Sequence, residues 1–123
     1  MATVDYFTRA AAKLGTSARD SIRLYMIPGM QHCGDGPGAD EFGAAPGPAA
    51  AGADPSGTMT AALERWVERG TTPSRIVAAK YNVPDQPSSG VKFTRPLCPY
   101  PQVARYKGTG SVSEASNFAC ATP

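Results

Sequence analysis

Four side chains of this 123-residue sequence could carry out chemistry: one histidine and three cysteines. His32 and Cys33 are adjacent in the segment 28–34, PGMQHCG, and Cys98 and Cys120 lie further along the chain. A lone imidazole can act as a general base near neutral pH, bind a metal ion or have no special role. Because catalytic residues concentrate on loops held by a rigid scaffold, this glycine-rich segment makes His32 a candidate catalytic residue.

Two other kinds of site fit the spacing of these four side chains less well. A structural zinc site takes four Cys or His ligands at paired spacings, whereas two of these candidates are adjacent and the other two are remote. A cysteine nucleophile needs a base within hydrogen-bonding reach, and neighbouring side chains of an extended segment point apart. We therefore expect no metal ion, no other cofactor and no nucleophilic role for Cys33.

The elements around the histidine are predicted from apolar periodicity and from turn residues. A strand is predicted over 22–27, and the Pro-Gly pair after it leads directly into the histidine segment. A helix is predicted over 4–14, with Thr3 as its N-cap and Gly15 as its end. The stretch 34–57 is almost entirely Gly, Ala and Pro with scattered acidic residues, which indicates a long irregular loop. Loops of this length inside a domain are usually functional or mobile.

A second helix and two further strands are predicted in the following part of the chain. The helix covers 59–69, with an apolar face, Thr58 as its N-cap and Gly70 as its end. The run 76–79 is typical of a short buried strand, and 91–95 alternates like a strand with one wet face. The chain is therefore short enough to be one domain at most, built from helices and strands.

The tail 96–123 has a different character from the rest of the sequence. Its prolines at positions 96, 99 and 101 each remove a backbone donor, which excludes a regular helix or a central strand there. One helical turn is predicted over 113–117.

Charge and hydropathy exclude two classes of partner. The net charge is only +2 and the basic residues are scattered, so we expect no nucleic-acid partner. No apolar run approaches the roughly 18 residues of a membrane span. The first residues lack the apolar core of a signal peptide, and we expect no membrane partner.

Four segments of the sequence resemble the tannase and feruloyl esterase family. They occur in the family's order and span most of the chain, and the PGMxHC and RPLCPYP pieces are unusual enough to be specific. The segments are 23–34 (RLYMIPGMQHCG), 65–70 (RWVERG) with Pro73 after it, 95–101 (RPLCPYP) and 117–120 (NFAC).

This resemblance implies a fold and an activity. Members of the family are α/β-hydrolases that are secreted or periplasmic and cleave esters of phenolic acids such as gallate or ferulate. Their triad is Ser, Asp and His in chain order, and His32 matches the histidine, the general base. The family also implies that Cys33 pairs with a cysteine beside the serine, and that Cys98 and Cys120 match a second, C-terminal disulfide.

The sequence lacks two members of the family's catalytic triad. None of its serines lies in a Gly-x-Ser-x-Gly setting, and by the family's order the serine and the triad aspartate precede Met1. We therefore expect residues 1–123 to be the C-terminal fragment of an α/β-hydrolase domain. It would have two helices, about three short strands and long loops, supply the triad histidine and be inactive alone.

Two alternatives of other kinds stay open at this stage. One is a small secreted binding module that the Cys98–Cys120 disulfide stabilises, with no catalysis. The other is complementation, in which another chain supplies the serine, the aspartate and the partner of Cys33. An unpaired strand over 22–27 would also expose backbone groups, so we expect the chain to be marginally stable as a monomer or to self-associate through that edge.

Overall fold

The computed structural model of the protein describes residues 2–32, 34–43 and 58–123. No helix in these ranges is long and apolar enough to cross a membrane. The α-helices are α1 (Ala2–Leu14), α2 (Ala18–Ser21) and α3 (Met59–Arg69), and 3-10 turns cover Gly15–Ser17, Pro87–Ser89 and Ala115–Asn117. The strands are β1 (Ile76–Tyr81), β2 (Val91–Leu97), β3 (Val103–Tyr106) and β4 (Phe118–Ala121).

The four strands form two antiparallel hairpins. β1 pairs with β2 with Ile76 opposite Leu97, and β3 pairs with β4 with Val103 opposite Ala121. β1 is the more apolar strand, and four of its six residues are buried. It is therefore the strand against which the main core is built.

The main core lies where β1, β2 and α3 meet the segment 39–43. Apolar side chains from all four are buried together, and partly buried residues from the segment before the histidine pack against them. The buried members are Ala39, Phe42, Ala62, Ile76, Ala78 and Leu97, and the partly buried ones are Tyr25, Ile27, Met30, Met59 and Phe93.

Helix α3 has the limits that local sequence signals predict. The Thr58 side chain accepts a hydrogen bond from the Ala61 amide at 3.2 Å, and Gly70 ends the helix with a left-handed φ of +64°. Its apolar face is less covered than predicted, because Leu63 is 55% exposed and Val67 is 77% exposed.

The prediction of a strand over 22–27 is wrong. This segment is extended, but it makes a single bridge, Tyr25 to Pro99, beside a hydrogen bond from the Tyr100 amide to the Leu24 carbonyl at 2.8 Å. The facing segment turns directly after this bridge, where the Gln102 amide donates to the Pro99 carbonyl at 2.9 Å. The ladder therefore ends after a single bridge. Self-association through this edge stays a prediction.

Smaller differences also have local causes. Helix α1 begins at Ala2, so Thr3 lies inside the helix and does not cap it. β2 continues through Pro96, which a two-stranded ladder tolerates because each of its strands is an edge strand. The β3–β4 hairpin was not predicted, and it raises the number of strands above the expected three. Of the predicted loop 34–57, residues 44–57 lie outside the described residues.

A disulfide joins Cys98 to Cys120, as the family resemblance implied. It links the end of β2 to β4 across a sequence separation of 22 residues. Closing a loop of this size restricts the unfolded chain. The bridge therefore stabilises the tail mainly by lowering the conformational entropy of the unfolded chain.

We expect the Cys98→Ala/Cys120→Ala variant to lose about 3 kcal/mol of unfolding free energy because the unfolded chain regains its loop freedom. Urea unfolding followed by circular dichroism measures the loss. A reductant is the matched control: it should destabilise the wild type and leave the double variant unchanged. A wild type that is indifferent to reductant would contradict the prediction.

Candidate active-site histidine loop

His32 lies on a short closed loop that we call the histidine loop and define by residues 29–32 and 34–38. Its neck is closed by the Gly38 amide, which donates to the Gly29 carbonyl at 3.0 Å. A second, longer hydrogen bond crosses the loop from the Gln31 amide to the Asp35 carbonyl at 3.4 Å. His32 is exposed near the tip of this loop.

Glycines are required where the two sides of the neck approach each other. A Cβ on Gly38 would overlap the Pro28 carbonyl oxygen and lie 2.9 Å from the Gly29 carbonyl carbon. A Cβ on Gly36 would overlap the Gly29 carbonyl oxygen. Gly29 and Gly36 also have φ values of +77° and +82°, which residues with a Cβ rarely adopt. The loop can therefore close this tightly only with glycine at these positions.

Tyr25 and Leu24 anchor the chain before the histidine loop. The Tyr25 hydroxyl donates to the Pro73 carbonyl at 2.7 Å, and the Leu24 carbonyl accepts from the Tyr100 amide at 2.8 Å. Burial raises the pKa of Tyr25, while the positive charge of Arg23 acts to lower it. The phenol therefore stays a neutral donor at physiological pH.

The chain after the histidine loop is anchored on β1 and on α3. Glu41 and Ala79 exchange two backbone hydrogen bonds, of 3.0 Å and 2.7 Å. The Phe42 carbonyl accepts from the Met59 amide at 2.9 Å, at the start of α3. The carboxylate of Asp40 lies 2.6 Å from the Lys80 ammonium. The histidine loop is thus held at both ends by the packed part of the fold.

His32 lines an open cleft of about 350 Å³ together with Gln31, Gly34, Asp35 and Asp85. Asp85 comes from the turn between β1 and β2 and has a φ of +57°. That turn and the histidine loop form the two sides of the cleft. An imidazole in such a position is accessible to a substrate and to a nucleophile.

Negatively charged side chains lie near Glu41, beside this cleft. Burial raises the pKa of Glu41, and the charges of Asp40 and Asp85 raise it further, against the opposing effect of Lys80. The folded state therefore binds the Glu41 proton more tightly than the unfolded state does. Ionised Glu41 destabilises the fold, and this penalty is absent below the ordinary pKa of a glutamate.

We expect Glu41→Gln to raise the melting temperature at pH 7 and to give no gain at about pH 3, where glutamates are protonated. The substitution leaves the backbone bridge to Ala79 in place. Glu64→Gln, an exposed glutamate of α3, is the control for the change in net charge. A gain that persists at low pH, or one that Glu64→Gln reproduces, would contradict this assignment.

The structure separates the other predicted site residues from the cleft. Cys33 lies outside the described residues, so its predicted role as half of a disulfide stays a prediction. Cys98 and Cys120 pair with each other and do not line the cleft. Within residues 2–32, 34–43 and 58–123, no group of three His, Cys, Asp or Glu side chains could hold a metal ion.

Three features of the site were missed from the sequence. Asp85 lines the cleft, Asp40 pairs with Lys80, and Glu41 bridges to β1. One local feature hinted at the ion pair. Lys80 directly follows the apolar run 76–79 and lies within β1, where a charged side chain needs a partner. The identity of that partner, 40 residues away, is not encoded locally.

The sequence profile of the family described as tannase and feruloyl esterase matches residues 1–121. An uncharacterized esterase of Xanthomonas campestris pv. campestris is 53% identical over 99 residues, which are 80% of this chain and 17% of that protein. The mono(2-hydroxyethyl) terephthalate hydrolase of Piscinibacter sakaiensis is 41% identical over 121 residues, 98% of this chain and 17% of that protein. A probable feruloyl esterase B of Aspergillus clavatus is 36% identical over 118 residues, 94% of this chain and 22% of that protein.

Solved structures resemble this chain in the same way. The crystal structure of feruloyl esterase B from Aspergillus oryzae superposes with a TM-score of 0.76 at 30% identity, covering 97% of this chain and 23% of that one. An esterase from the same organism gives a TM-score of 0.75 at 30% identity, over 97% of this chain and 24% of that one. These are structures of esterases, in keeping with an α/β fold, and this chain spans less than a quarter of their length.

Proposed function

Because this chain belongs to the tannase and feruloyl esterase family, we propose that it is the histidine-bearing segment of a serine carboxylic-ester hydrolase. The observation that carries the proposal is the position of His32. It is exposed on a glycine-necked loop, anchored on both sides, beside an open cleft. This arrangement suits a general base, which must stay fixed while it reaches a substrate.

In the proposed reaction, His32 takes the proton of a serine hydroxyl as the serine oxygen attacks the ester carbonyl. It then gives that proton to the departing alcohol, and the acyl-enzyme is released by water in the same two stages. The serine, the triad aspartate and the donors of the oxyanion hole come from residues other than these 123. Cys33 is proposed to pair with a cysteine beside that serine, which would fix the histidine loop against the nucleophile.

The proposed substrates are esters of phenolic acids. Two relatives are named for hydrolysing esters of aromatic acids, a feruloyl ester in one case and a terephthalate monoester in the other. The disulfide between Cys98 and Cys120 supports a secreted or periplasmic location, because such bonds persist in oxidising compartments.

The test compares two proteins: the one encoded by the complete gene in which these residues occur, and the 123-residue chain alone. Release of ferulate from methyl ferulate and of gallate from methyl gallate is measured for both. We expect turnover by the first and none by the second, because an imidazole without a nucleophile and an oxyanion hole has nothing to activate. Turnover by the 123-residue chain alone would overturn the proposed division of roles, and an inactive complete gene product would overturn the function.

A further inference from the structure

One ion pair beside the histidine loop is almost fully buried. The Lys80 ammonium lies 2.6 Å from a carboxylate oxygen of Asp40, and the two side chains are only 11% and 7% exposed. The contact is also a charge-assisted hydrogen bond. Asp40 follows the neck of the histidine loop, while Lys80 belongs to β1.

The pair joins the two sides of the histidine cleft. On one side, Asp40 is two residues beyond Gly38, which closes the neck. On the other side, Lys80 precedes the β1–β2 turn, which carries Asp85 into the cleft. The backbone bridge between Glu41 and Ala79 lies directly beside the pair. Side-chain and backbone contacts therefore fix the same junction.

Stability alone is a weak explanation for this pair. Replacing a buried ion pair with apolar side chains of similar size is often neutral or stabilising, by about 1–4 kcal/mol. An ion pair supplies a directional contact that selects one register. Apolar side chains supply no such contact. Here that register sets how the histidine loop meets the β1–β2 turn.

We propose that Asp40 and Lys80 are positioning residues for His32, a role that rests on the proposed hydrolase function. The pair holds the histidine loop against β1, so that the imidazole keeps its place relative to the nucleophile. Neither side chain lines the cleft, so their effect passes through the loop. A misplacement of about 1 Å in a catalytic group can lower turnover about 100-fold, so a small shift is measurable.

The test uses the Asp40→Leu/Lys80→Met variant of the protein encoded by the complete gene. We expect a melting temperature equal to or above that of the wild type, because no charge is left unpaired. We expect kcat to fall about tenfold while KM stays within about twofold, because the loop positions the base and does not bind the substrate. The amides of Glu41 and Ala79 should exchange with solvent faster. The reversed pair Asp40→Lys/Lys80→Asp should recover part of the lost kcat.

The outcomes separate this proposal from the proposed function. A folded double variant with the kcat of the wild type would overturn the positioning role, and so would unchanged exchange at Glu41 and Ala79. The exchange measurement needs no turnover, so it decides the role of the pair even in an inactive protein. If the double variant does not melt cooperatively, Asp40→Asn and the reversed pair decide together. A fall in kcat in Asp40→Asn that the reversed pair restores supports positioning, whereas wild-type kcat in a folded Asp40→Asn protein overturns it.

Discussion

His32→Ala is expected to lower kcat for ester hydrolysis by about 10⁴-fold or more in the protein encoded by the complete gene. Without the imidazole, no group removes the proton of the serine hydroxyl or returns it to the departing alcohol. His32 is exposed, so we expect the variant to fold and to melt cooperatively. A large loss of kcat in a folded protein is therefore the signature of a general base.

Steady-state hydrolysis of methyl ferulate and thermal melting measure the two quantities on the same protein. Lys92→Ala is the matched control, because Lys92 is exposed on β2 and lies outside the histidine cleft. It should retain the kcat of the wild type. Residual activity above about 1% in a folded His32→Ala protein would assign the proton transfer to another group.

Gly38→Ala is expected to have the second largest effect, a fall in kcat of about 100-fold. The added Cβ overlaps the Pro28 carbonyl oxygen and meets the backbone of Gly29, so no side-chain rotation can relieve the clash. The neck must open, and the loop that carries His32 must move. The loss should appear in kcat, since the residues that bind the substrate are not altered.

Gly15→Ala is the comparison for this substitution. Gly15 has a φ of +61°, but no atom lies within 4 Å of the added Cβ, so the strain is confined to the end of α1. It should lower stability by about 1 kcal/mol and leave kcat unchanged. Wild-type kcat in a folded Gly38→Ala protein would show that the neck does not control the histidine.

The limits of α3 could be predicted from local sequence signals, whereas pairing between distant segments could not, and the Cys98–Cys120 disulfide was expected only from the resemblance to a family. Thr58 and Gly70 mark the ends of α3 because capping depends only on neighbouring backbone groups. The segment 22–27 has a strand-like pattern, but whether a strand forms depends on its partner, and the partner turns at Pro99 after a single bridge. A strand therefore requires both a local apolar pattern and a distant segment with which it can pair.

The candidate site shows the same division. His32 could be singled out from the sequence, because its type and its glycine-rich neighbours are local features. The closure of Gly29 onto Gly38 and the contact of Asp40 with Lys80 depend on chain reversal and on packing against β1. The candidate catalytic residue can therefore be named from the sequence, while the residues that anchor its loop emerge only in three dimensions.

The anchoring of α3 on the segment after the histidine loop has an optical consequence. The chain's one tryptophan, Trp66, lies half-buried on α3, the helix whose first amide bonds to the Phe42 carbonyl. Unfolding of this helix, which begins at that bond, would expose more of the indole to water and shift its emission to the red. Fluorescence of the 123-residue chain therefore reports on whether α3 is folded, without any added label.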